Sequence, residues 1–233
     1  MKDKAKALWT AIGIASAVCL IILILRFAVF IPSMGMWFYQ WQYNVNDTYA
    51  VVDMEPEHLH EVTRHMIRYM QGREPDLQIM TVIGGQPRYF FSDIEIRHMI
   101  DVYDLFAIGS VIFIAACIVF VATAAAFAIW GRGQLKYLLK SWQITSAAVF
   151  CTLLALVAII AINWHHAFVI FHEIFFDNDY WILDHRVDLL VNIVPYPFFI
   201  TISIVIGGFF AAGLVIVFAA ASIVLRRFRP FLH

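Results

Sequence analysis

The sequence predicts an all-α integral membrane protein, with four transmembrane helices and a mainly helical extracellular cap. Three observations predict it. Of 233 residues, 62% are hydrophobic and only 14% charged, and the mean hydropathy is +0.79; the surface of a soluble domain requires more charge. Four apolar runs can each supply roughly 20 helical residues, enough for a hydrocarbon core of about 30 Å. Basic residues gather at the two ends and in the connection between the second and third runs, the distribution expected of segments on one side of a bilayer.

The first run, 7–32, follows Lys2, Lys4 and Lys6. It resembles a signal-peptide core, but it is long, and Arg26 and Pro32 leave no small-residue cleavage site, so a retained helix is expected. The others cover about 105–130, 144–164 and 198–225. Arg132, Lys136 and Lys140 join Arg226, Arg227 and Arg229 on the side of the N-terminal lysines, so both termini are expected in the cytoplasm of a multi-pass cell-membrane protein. The expected organisation is a single membrane domain, 1–233, with an extracellular cap insertion at 33–104 and a second extracellular loop at 165–197.

Within the cap, 57–71 reads as a helix whose apolar side carries Leu59, Val62, Met66, Ile67 and Met70. Ser92-Asp93-Ile94-Glu95 is a capping box with Ser92 as N-cap, opening a helix that runs on into the second apolar run. Cys19, Cys117 and Cys151 lie inside apolar runs and predict packing rather than a disulfide framework. Gly207, Gly208 and Gly213 permit close helix approach.

The chemistry-bearing residues gather in the outer connections. His98 lies on the capped helix with Asp101 three positions on, hence on one face. His172 precedes Glu173 in the second connection. Imidazoles suit proton transfer near neutral pH, although interfacial histidines also commonly serve as hydrogen-bond partners. His58, His60 and His65, and His165, His166 and His172, form loose groups without a metal-ligand spacing, so no metal is expected. Aromatic rings crowd both motifs: Tyr89, Phe90 and Phe91 before His98, and Phe171, Phe175, Phe176 and Tyr180 around His172. They suit either an interfacial belt or an apolar lipid pocket. Arg186 and Asp188 can bind polar substrate groups or pair with neighbours. No glycine-rich nucleotide motif, GxSxG element or basic stripe occurs, and nothing in the sequence supports nucleic-acid binding.

The segments Phe91-Ser92-Asp93-Ile94-Glu95-Ile96-Arg97-His98-Met99-Ile100-Asp101-Val102 and Phe171-His172-Glu173-Ile174-Phe175-Phe176, followed by Trp181, Asp188 and Pro195, resemble the bacterial lipoprotein intramolecular transacylases. The resemblance covers nearly the whole chain. It implies catalysis by His98 and His172; Asp101, Glu173, Trp181, Arg186 and Asp188 are the candidates beside them for orienting an imidazole or contacting substrate. The implied reaction moves the glyceryl sn-2 acyl chain of a diacylglyceryl lipoprotein to its N-terminal cysteine amine, giving an N-acyl, lyso-form lipoprotein. Attack closes an eight-membered ring, an awkward geometry that a confined site can offset. The implied partners are the lipoprotein substrate and membrane phospholipid, with no obligatory protein partner and no cofactor. His172 is expected to take the amine proton as principal general base and His98 to serve the oxyanion or the glyceryl oxygen, with the reverse assignment as the alternative. A membrane lipid or lipoprotein hydrolase and a noncatalytic lipid-binding assembly protein are the alternatives.

Overall fold

The computed structural model describes residues 2–227; Arg229 and the side chains of Lys2 and Arg132 lie outside what is described. Helix α1 (Lys2–Met34) is followed by α2 (Met36–Val45), α3 (Thr48–Val51) and α4 (Pro56–Met70). A hairpin of β1 (Met80–Ile83) and β2 (Gln86–Tyr89) leads to α5 (Asp93–Ile129). Then come α6 (Leu135–Ile162), α7 (Trp164–Phe175), α8 (Leu190–Ile193) and α9 (Tyr196–Arg227). Four of these, α1, α5, α6 and α9, are long and apolar enough to cross a bilayer, as the four apolar runs require.

The capping box launches α5 without a break into the second apolar run. At 1.5 Å per residue, 37 residues reach about 55 Å, well beyond a core of about 30 Å. Its first dozen residues carry Asp93, Glu95, Arg97, His98, Asp101 and Asp104. These residues therefore lie outside the spanning segment, which is the apolar stretch 105–129. The third run ends at Ile162 rather than Trp164 because Asn163 starts a new helix: its side chain accepts from the His166 N–H at 3.0 Å, capping α7. The segment carrying His172 is therefore a helix, not an open loop.

The chain forms two compact units. The first comprises Met1–Val29, Ser110–Ile162 and Ile206–His233. Ala28, Phe210 and Leu214 are buried there against Ile21, Ile24, Val149, Phe150, Leu153 and Ile206. Of the three glycines expected at close contacts only Gly213 sits in one, where a Cβ would run into Ile24; Gly207 and Gly208 face open space. Interhelical polar contacts are Trp142 Nε1–H to Ser16 Oγ at 3.2 Å, Gln143 to Ser222 at 2.8 Å and Arg26 to Ser110 at 3.0 Å. Such bonds satisfy polar groups where lipid cannot. Outward apolar side chains such as Ile118, Val121 and Ile159 suit a hydrocarbon solvent.

The second unit comprises Phe30–Gly109 and Asn163–Val205. Pro56 begins α4 at a position where its missing N–H costs nothing. Leu59, Val62, Met66, Ile67 and Met70 are all buried on the side the sequence marked. The Tyr43 hydroxyl meets Thr63 Oγ1 at 2.7 Å, and Thr63 donates its single hydrogen to the Leu59 carbonyl. Tyr43 is therefore the donor of the first bond. The hairpin is an addition to the helical expectation: Gly84 and Gly85 adopt φ +58 and +74, the paired left-handed conformation of a type I′ turn. Its strands are four residues each, too short to show a clear alternation.

Candidate active site

The site is built from the first turns of α5, from α7 and from the stretch after it, all in the second unit. The capping box closes both ways: Ser92 N–H donates to Glu95 Oε2 at 2.6 Å, and Glu95 N–H donates to Ser92 Oγ at 3.4 Å. This fixes the start of α5, and His98 follows one turn later, packed edge-on to Phe176 with ring centroids 5.4 Å apart. On α7, His172 is buried to 6% exposure. The two imidazoles lie 6.1 Å apart, centroid to centroid, tilted by 35°.

The surroundings of His172 define its chemistry. Its Nδ1 lies 2.7 Å from the Phe168 carbonyl oxygen one turn back. A carbonyl can only accept, so Nδ1 carries the hydrogen, and in the neutral ring Nε2 holds the lone pair. Trp181 stacks on the ring at 4.6 Å and 29°, and Phe168 lies at 4.2 Å. Burial lowers the His172 pKa below its ordinary value, against the raising effect of the Phe168 bond. His98 is pushed down to about 4, chiefly by burial and then by the neighbouring His172, with Asp101 acting the other way. Both rings are therefore neutral at pH 7. His98 Nδ1 is buried and has no hydrogen-bond partner among the described residues.

The remaining sequence candidates divide clearly. Asp101 shares the electrostatic environment of His98 but its Oδ2 accepts from Asn178 Nδ2 at 3.0 Å. Asp188 is buried and accepts from Ser92 Oγ at 2.9 Å and from the Asp184 N–H at 2.9 Å. Phe176 and Trp181 touch the histidines directly, and Phe171 meets His172 at 5.4 Å with Phe175 packed on it at 4.8 Å. Phe171 and Phe175 also expose much of their surface. Tyr180 accepts from Arg97 at 3.2 Å. Phe90 and Phe91 are buried against each other, and Tyr89 is an exposed strand residue. Glu173 is exposed. Arg186 is exposed and chelated by Asp184. Within the loose histidine groups, His60 meets the Tyr49 hydroxyl at 2.9 Å and His65 the Asp76 carbonyl at 3.1 Å, while His58 Nδ1 is buried with no hydrogen-bond partner among the described residues.

Phe168 and Asn178 were not among the site residues expected from the sequence, and Glu95 was expected only as a capping residue. Phe168 was findable, because it lies four residues before His172 on a helix, the spacing at which an imidazole reaches a backbone carbonyl. Asn178 partners Asp101 across 77 residues, and no local pattern encodes that distance.

Four bilayer-length apolar helices and two imidazoles 6.1 Å apart make this an integral membrane protein with a candidate acid–base site. The model of a known family, lipoprotein intramolecular transacylase Lit, matches residues 14–199. The chain belongs to that family, a family of acyltransferases acting on lipoproteins. Three in meso structures of the membrane integral lipoprotein intramolecular transacylase Lit from Bacillus cereus share the fold. The first aligns with a TM-score of 0.79 at 20% identity, over 96% of this chain and 98% of that one. A variant with one histidine replaced by arginine aligns at 0.75 and 19% identity, over 98% of this chain and 95% of that one. A variant with one histidine replaced by alanine aligns at 0.76 and 19%, over 98% of this chain and 97% of that one. No curated protein matches the sequence.

Proposed function

We propose that the His98–His172 pair moves the sn-2 acyl chain of a diacylglyceryl lipoprotein onto its own N-terminal cysteine amine. The observation that carries this is the asymmetry of the pair: His172 has its Nδ1 committed to Phe168, leaving Nε2 basic, while His98 Nδ1 has no partner among the described residues. The neutral amine attacks the ester carbonyl carbon and forms the C–N bond. His172 Nε2 takes the surplus proton from nitrogen. An N–H at His98 Nδ1 donates to the developing oxyanion; a neutral imidazole suits that work, as a low pKa keeps it uncharged. When the carbon–oxygen bond breaks, the His172 imidazolium returns the proton to the glyceryl oxygen. Atoms and protons balance, and no water enters.

The exposed Phe171 and Phe175 fit contact with acyl chains, and Trp181 and Phe176 shield the imidazoles from water. The connections 33–104 and 165–197 lie on the extracellular face and both termini in the cytoplasm, an orientation supported by Lys4, Lys6, Lys136, Lys140, Arg226 and Arg227 at the opposite ends of the spans. Membrane phospholipid surrounds the protein, and the reaction needs no protein partner. Replacing either histidine by alanine tests the assignment: folded His172→Ala and His98→Ala proteins are expected to lose turnover of a diacylglyceryl lipopeptide, and a His172→Ala protein that still turns over would sink the base role.

A further inference from the structure

Glu95 is the most unusual buried group outside the imidazole pair. Its exposure is 0%, yet it sits on the same helix as His98, one turn ahead. One carboxylate oxygen accepts from the Ser92 N–H at 2.6 Å, as a capping box requires. The other accepts from the backbone N–H of Leu190, 95 residues away at the start of α8. A capping glutamate ordinarily faces water; this one has no exposure, and its second bond leaves the helix altogether. Ser92 extends the link, since its hydroxyl donates to Asp188 Oδ1 at 2.9 Å, and Asp188 Oδ2 accepts from the Asp184 N–H at 2.9 Å.

The same helix segment meets the stretch after α7 twice more. Arg97 donates to the Tyr180 hydroxyl at 3.2 Å, and Asp101 accepts from Asn178 at 3.0 Å. His98 sits among these three links. Trp181, stacked on His172, belongs to the stretch they hold. Of the three, only the Glu95 link is fully buried, so water competes with it least.

We infer that Glu95 is a positioning residue: its buried carboxylate, with Ser92 and Asp188, clamps the start of α5 to the 184–190 stretch and so sets His98 against His172 and its Trp181 cover. Glu95 touches no reacting atom. This rests on the transacylase reading of the imidazole pair. A carboxylate is required because both of its oxygens accept backbone N–H groups. An amide has one acceptor oxygen, and its NH2 would face a second N–H across a buried gap.

The test uses the full chain in lipid nanodiscs with a synthetic diacylglyceryl lipopeptide, comparing wild type, Glu95→Gln and Ser92→Ala. Glu95→Gln is expected to lower kcat about 10- to 100-fold, the scale of a misplacement near 1 Å, with KM within about two-fold. Hydrogen exchange at the Leu190 amide should quicken at least about ten-fold. The acid limb of the kcat profile should stay where it is, because Glu95 exchanges no proton with substrate. An unchanged kcat alongside faster Leu190 exchange would overturn the inference, as would a loss confined to KM. Should Glu95→Gln fail to fold, Ser92→Ala decides: a smaller fall in kcat at constant KM supports the clamp, and wild-type kcat overturns it. A wild-type protein that transfers no acyl group would sink the transacylase reading itself, a result distinct from an active wild type with an equally active variant.

Discussion

Removing the Trp181 ring should weaken His172 as a base without abolishing it. Trp181 lies 4.6 Å from the imidazole at 29°, a stacked pair worth about 0.5–1.5 kcal/mol beyond area burial. The other restraint, the Nδ1 bond to the Phe168 carbonyl at 2.7 Å, contributes a further ~0.5–1.5 kcal/mol and survives Trp181→Ala. If the stacking energy holds the reactive rotamer, its loss lowers the correctly placed fraction, and kcat with it, about 2- to 13-fold. A second effect has a definite sign. Burial is what depresses the His172 pKa; uncovering the ring lets it rise toward the ordinary value. The neutral ring is the active form, so activity persists above the pKa and fails below it, and the acid limb of the rate profile moves to higher pH. Trp181→Phe should retain most of the rate. The assay is kcat against pH for the three proteins on a defined lipopeptide. A Trp181→Ala protein with wild-type kcat and an unmoved acid limb would refute the stacking argument. A loss as complete as that of His172→Ala would place Trp181 in the chemistry itself.

Two further outcomes follow from the same environment. Because His98 is depressed to about 4 and His172 also lies below its usual value, NMR of the imidazole Cε1 hydrogens should show both rings neutral at about pH 7, with both midpoints below the ordinary histidine value; midpoints above it would contradict the burial. Arg186, exposed and held by Asp184, should tolerate alanine with kcat/KM changed less than about two-fold, and a large rise in KM would show that it leaves Asp184 to meet substrate.

Much of this architecture was legible because bilayers impose simple lengths. The four spans and the uninterrupted passage from Ser92 into the second apolar run were readable from hydropathy and one capping motif, and α4 from its buried stripe. The hairpin was hidden, since eight strand residues carry too little periodicity and only Gly84-Gly85 marks the turn. Helix α7 was obscured by its neighbour: Asn163 alone separates it from α6, and both are apolar. At the site, the histidines and their aromatic company were visible as local motifs. Their partners were not. Glu95 looked like an ordinary capping residue, and Asp101 suggested an imidazole orienter; the fold gives them Leu190 and Asn178 instead. Arg186 was visible as a charge, but its solvent-exposed pairing with Asp184 depends on a tight local turn. Long-range pairings of this kind leave no periodic trace.

The fate of the acyl chain separates intramolecular transfer from hydrolysis most directly. Purified protein in lipid is incubated with a diacylglyceryl lipopeptide bearing a free N-terminal cysteine amine, and intact and fragment masses are read before and after. The expected result is an unchanged total mass with one acyl group moved from glycerol to the amine. Loss of one acyl mass as free fatty acid would contradict intramolecular transfer and make the protein a hydrolase.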